Sequence, residues 1–167
     1  LRNKGVRIPT LPEVFNAFPE TKMNLEIKDS RSSTIQSLCR MIGDHQMTKR
    51  VMVASFDAGS LKEFRLICPL VATSAGASEA MLFYGLQKVY LEAAYSPDAQ
   101  TLQVPETFRD LRVVNRRFIE AAHARNMRVQ VWTVNDVNAM QRLLELGVDG
   151  IMTDYPQRLL ELMNPPK

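Results

Sequence analysis

No apolar stretch in this 167-residue chain reaches the ~18 residues that a membrane-spanning helix needs, so nothing in it reads as crossing a bilayer. Glycine is scarce, at seven residues, and no glycine-rich first turn announces a doubly wound nucleotide-binding sheet. Lys and Arg never form a block with interleaved aromatics, so a formal net charge of +3 gives no support to nucleic-acid binding. No charged-then-apolar leader opens at Leu1. The two cysteines, Cys39 and Cys68, sit singly inside apolar helical patterns. They read as buried free thiols rather than a disulfide or a metal pair, which points to a reducing compartment and hence to the cytoplasm. What is present is ordinary for a packed domain: 46% apolar and 23% charged residues, too apolar for disorder.

Periodicity divides the chain into short β-type runs followed by helical ones. Thr10-Leu11-Pro12-Glu13 has the form of a capping box with proline in the first turn. Strands are expected at Met23–Lys28, Val51–Phe56, Leu70–Ser74, Thr101–Val104, Val129–Val134 and Gly150–Thr153. Helices are expected at about Ser33–Ile42, Leu61–Ile67, Ser78–Leu91, Asn115–Arg125 and Val137–Leu146, with a last one from Pro156. The strand ends recur at intervals of 19 to 30 residues, which suits parallel βαβ crossovers. No interior segment reads as a linker, so residues 1–167 are expected to form one domain. The fold class is α/β, of (β/α)8 TIM-barrel type. A complete barrel takes eight units and about 250 residues, so six units imply an incomplete barrel lacking its N-terminal strands.

Three segments carry chemistry. In Asn24-Leu25-Glu26-Ile27-Lys28, alternation puts Glu26 and Lys28 on one face. Strands of a parallel sheet are buried on both faces, so this acid and base are expected to be desolvated and paired, or bound to a ligand. A carboxylate suits a hard metal ion, and a lysine two residues on suits an anion such as phosphate. An internal ion pair or an exposed edge strand is the alternative. In Val129–Asp136 the valines fit against outer helices, which turns Gln130 and Trp132 toward the interior or the mouth. In Gly147–Pro156, Asp154 is read as structural, accepting hydrogen bonds from the free N–H groups of the helix start.

Together with Arg7-Ile8-Pro9-Thr10-Leu11 and Val53-Ala54-Ser55-Phe56, these segments resemble the glycerophosphodiester phosphodiesterase family, in the family's order and over nearly the whole chain. The resemblance implies a barrel related to the phosphatidylinositol phospholipase C fold and a divalent metal ion, Ca or Mg. It also implies hydrolysis of small glycerophosphodiesters, or of lysophospholipids, to glycerol 3-phosphate and an alcohol in the former case. Carried over by motif, Glu26 matches a metal ligand, Lys28 a phosphate-contacting lysine, and Trp132 a residue that lines the substrate pocket. The family's His-Arg-Gly, Glu-x-Asp and His-Asp motifs have no counterpart ahead of Arg7. The expectation is therefore a C-terminal portion that has no catalytic histidine of its own and is inactive when isolated. His45 and His123 are read as surface or helix-packing residues. The alternatives are a catalytically dead relative that binds an anionic ligand or a protein partner, and an unrelated parallel α/β protein.

Overall fold

The computed structural model describes residues 7–164, which fall into two compact units, Leu1–Thr73 and Ser74–Lys167. In the first, α1 (Leu11–Ala17) precedes β1 (Met23–Glu26), α2 (Ser32–Asp44), β2 (Val51–Ala54), α3 (Ala58–Ile67) and β3 (Ala72–Thr73). The strands form a parallel sheet in the order β1-β2-β3. Its helix-side face carries Met23, Leu25, Val51 and Val53, which join Phe15, Ile35, Ile42, Leu61 and Phe64 in one core. Local chemistry supports each helix start. At α1, Glu13 accepts the Thr10 backbone N–H at 2.8 Å and its hydroxyl at 3.0 Å. The Arg7 guanidinium, and then Thr10, pull the Glu13 carboxyl down to about 2. At α3, Asp57 accepts the Ser60 N–H at 2.8 Å.

The second unit runs from α4 (Ala77–Lys88) through a 3-10 turn at Glu92–Ala94 to β4 (Thr101–Pro105). A small antiparallel hairpin follows, β5 (Thr107–Phe108) and β6 (Leu111–Arg112). Then come α5 (Arg116–His123), β7 (Arg128–Trp132), α6 (Val137–Leu146), β8 (Gly150–Ile151) and α7 (Pro156–Met163). β4, β7 and β8 form a second parallel sheet in that order. Val129 and Val131 are fully buried with Phe118, Ala122, Met140 and Leu143, so the valine face does lie against the α5 and α6 helices. Asn115 caps α5 by accepting the Phe118 N–H at 3.0 Å, and Gly147 ends α6 at φ 90°, a left-handed turn that favours glycine.

Six parallel strands, each followed by a helix, for β4 only after the β5–β6 hairpin, match the expected α/β alternation. They form two three-stranded sheets, and neither closes into a barrel. No helix of the described residues is long and apolar enough to cross a membrane.

Two expectations are corrected. Cys39 and Cys68 are joined as a disulfide, with Cα atoms 5.8 Å apart, and are not free thiols. The pairing escapes a sequence reading because the residues lie 29 positions apart, Cys39 on α2 and Cys68 just past the end of α3, and only the packing of these successive crossover helices sets them side by side. The case for a reducing compartment loses its basis with it. The polar face of β1 is also not buried: Asn24, Glu26 and Lys28 are exposed. Within the first unit the helices α2 and α3 build their core on the opposite face, so these charges are met by water and by each other at the surface rather than in a buried pair.

Candidate functional site

In a parallel βα unit the side chains that follow each strand gather at its C-terminal end, and three such ends hold the residues singled out above. At the end of β1, Lys28 Nζ lies 3.0 Å from Glu26 Oε2, with the lysine side chain 78% and the glutamate side chain 34% exposed. The two neutralise each other while both remain reachable from solvent. Beyond them Asp29 accepts the Arg31 N–H at 3.1 Å and the Thr34 hydroxyl at 3.1 Å, which closes the first turn of α2. Arg31 above all holds the Asp29 carboxyl well below the usual carboxylate range. An open cleft of about 490 Å³ runs along this edge. Its polar side is Glu26, Lys28 and Arg31 with the hydroxyls of Ser33 and Ser37; its apolar side is Leu11, Leu38 and Met41.

The Ser55-Phe56-Asp57 segment explains itself as a strand-end clamp. The buried Ser55 hydroxyl donates to the Ile27 carbonyl at 2.9 Å and accepts the Asp57 N–H at 3.1 Å. It ties the end of β2 to the residue between Glu26 and Lys28, and Asp57 then caps α3. The resemblance carries Ser55 within Val53–Phe56, but strand alternation alone assigns it no task. The signal was a small hydroxyl residue at a strand end, followed by an acidic cap two positions on.

In the second unit, strand register builds one row from Gln103, Gln130 and Gly150. Gln103 Nε2 donates to Gln130 Oε1 at 2.9 Å, and a Cβ on Gly150 would approach Gln130 Cγ to 3.1 Å, so glycine makes room for the amide. Trp132 lies one step further along the same face, beside Pro105, and is half-buried. The peptide bond after it is cis. The turns after β7 and β8 interlock through Asn135. Its Oδ1 accepts the Thr153 hydroxyl at 3.0 Å and the Asp154 N–H at 2.9 Å, while its Nδ2 donates to Asp154 Oδ2 at 2.9 Å. Asp154 is structural, though not as the expected cap: Pro156 already removes a donor from the start of α7, and the carboxylate turns to Asn135 instead.

Both histidines are occupied away from these ends. His45 Nδ1 lies 2.9 Å from the Met41 carbonyl, with its ring against Phe15. His123 Nε2 lies 2.8 Å from Asp149 Oδ2, and Asp149 also accepts the Val129 N–H at 2.7 Å, near the start of β7. Among the described residues no group of three or more His, Cys, Asp or Glu could hold a metal ion. The residues present therefore do not make a complete hard-cation site, which takes about six oxygen ligands.

Comparison with known proteins gives this geometry a context. The chain is 29% identical over 164 residues to "Probable glycerophosphodiester phosphodiesterase 2" of Mycobacterium tuberculosis, covering 95% of this chain and 61% of that protein. A crystal structure of a candidate glycerophosphoryl diester phosphodiesterase of Silicibacter pomeroyi matches with a TM-score of 0.77 at 25% identity, over 95% of this chain and 57% of that one. An Oleispira antarctica phosphodiesterase solved with its product sn-glycerol-3-phosphate shares the fold, with a TM-score of 0.72 at 21% identity, over 94% and 62%. The chain thus spans about three-fifths of the length of these relatives. The profile of the glycerophosphoryl diester phosphodiesterase family matches residues 1–158, and the chain belongs to that family.

Proposed function

We propose that the whole protein hydrolyses small glycerophosphodiesters to glycerol 3-phosphate and an alcohol, and that its two units are parts of one barrel domain. The observation that carries this reading is the solvent-reachable Glu26–Lys28 pair beside the cleft at the end of β1. A phosphodiester carries one negative charge, and Lys28, a flexible ammonium 78% exposed, reaches such a charge without first being desolvated. Glu26 holds that ammonium in the ligand's absence and is free to exchange it for another cation. In this reading Glu26 supplies one carboxylate toward a divalent ion, Ca or Mg, which would polarise a phosphate oxygen. This chain's described residues offer too few donors to route a step through that ion. Trp132 supplies a flat wall against the substrate. Neither His45 nor His123 serves as acid or base, because His45 is tied to the Met41 carbonyl of its own helix and His123 to Asp149 near the start of β7, both away from the strand C-terminal ends.

Steady-state hydrolysis of glycerophosphocholine by the whole protein tests the assignment. Glu26→Gln and Lys28→Ala are each expected to lower kcat/KM by roughly 100-fold, with an unchanged fold by circular dichroism. Full activity in both variants removes the site from this strand.

A further inference from the structure

We propose that Cys39 and Cys68 form a redox-set cross-link that fixes the wall of the Glu26 cleft. Their Cα atoms, 5.8 Å apart, lie within the span a disulfide requires, and both residues are half-buried between the packed helices α2 and α3. α2 is the element they share with the cleft. Ser33, Ser37, Leu38 and Met41 line the cleft from one side of that helix, while the next residue after Leu38, Cys39, faces α3. Sliding or rotation of α2 that would reshape the cleft must therefore strain the bridge. At the other end of α2 the two helices touch through an exposed Ser32 hydroxyl on Glu63 at 3.1 Å, a much weaker tie.

The dithiol form is accommodated too. Cys39 Sγ lies 3.5 Å from the Ile67 carbonyl, which accepts a thiol hydrogen once the bridge is opened. Closing the bridge removes two electrons and two protons from the thiols. They pass to a small disulfide oxidant, which leaves as two thiols, and a dithiol reductant reverses the exchange. The consequence is a βα unit whose outer layer is stapled under oxidising conditions and held by packing and the exposed Ser32–Glu63 hydrogen bond under reducing ones. This stands whether or not the cleft hydrolyses a diester, because it is read from thiols and backbone amides rather than turnover.

The experiment takes the whole protein through glutathione disulfide or dithiothreitol, then measures maleimide labelling of Cys39 and Cys68 and amide hydrogen exchange by mass spectrometry. Labelling is expected to find neither thiol after oxidation and both after reduction. Exchange across residues 32–44 is expected to rise roughly tenfold or more on reduction, while residues 128–146 stay unchanged. The double variant Cys39→Ser with Cys68→Ser should behave as the reduced chain and ignore the oxidant; if it does not fold, the wild-type comparison decides alone. Two reactive thiols after oxidation, an unchanged α2, or a rise spread equally over residues 128–146 overturns the proposal.

Discussion

At the scale of single residues, the side chains that matter most here make polar contacts at strand ends. Asn135 is the clearest case, since one amide satisfies a hydroxyl, a backbone N–H and a carboxylate on the neighbouring turn. Asn135→Ala strips three partners at once, and the half-buried Thr153 hydroxyl loses its acceptor. A loss of about 1–3 kcal/mol is expected, read as a lower urea midpoint with an unchanged slope. Asn135→Asp should recover little, because its carboxylate would face the Asp154 carboxylate. Ser55 works the same way on β1 and β2, adding a hydroxyl tie to the core packing of Ile27 in the loop that carries Lys28. Glu26 and Lys28 were legible by alternation as a same-face pair, and they are one. Their exposure was not legible, because alternation says which side a residue faces and not what covers that side.

At the scale of elements, helix starts and stops were read almost directly. Thr10, Asn115 and Gly147 do what their chemistry dictates. Gly147 at φ 90° sits in a conformation that costs an L-residue about 1 kcal/mol, and a Cβ there meets nothing within 4 Å. Gly147→Ala should therefore lower the melting temperature of the chain by a few degrees through backbone strain alone. Gly147→Asn, which tolerates the left-handed region better, should recover part of the loss. Most strand ends were overestimated, since β1 stops at Glu26, β2 at Ala54 and β8 at Ile151, whereas β4 runs one residue past the expected Val104 to Pro105. The residues just beyond β1 and β8 still bond to the neighbouring strand, Ile27 N–H to the Ala54 carbonyl at 2.8 Å and Met152 N–H to the Val131 carbonyl at 2.9 Å, before the chain turns toward the next helix. The β5–β6 hairpin was missed because Thr107–Arg112 is too short and too polar to show a period of two.

At the scale of the whole molecule, the chain carries more exposed apolar surface than its core needs. Leu66, Leu70, Met81, Leu82 and Tyr90 are all more than half exposed. Two three-stranded parallel sheets also leave unpaired strand edges, and such edges template association. The isolated 167-residue chain is expected to associate as its concentration rises, by sedimentation velocity, whereas the whole protein should sediment as one species if a single barrel takes up both sheets. A monodisperse monomer of the isolated chain across ~1–100 μM would overturn this expectation.

By itself the amino-acid sequence determined the alternation of six strands and helices, the caps at Thr10, Asn115 and Gly147, the valine face of β7 and the family to which the chain belongs. Each of these is a local property, set by side-chain period, capping chemistry or a short ordered motif. Tertiary structure alone decided that Cys39 meets Cys68, that Asn135 locks Thr153 and Asp154, and that the acid and base on β1 stay in water. Those depend on which distant segments the parallel crossovers bring together and which face of a sheet the helices choose to cover, and no local pattern carries that information.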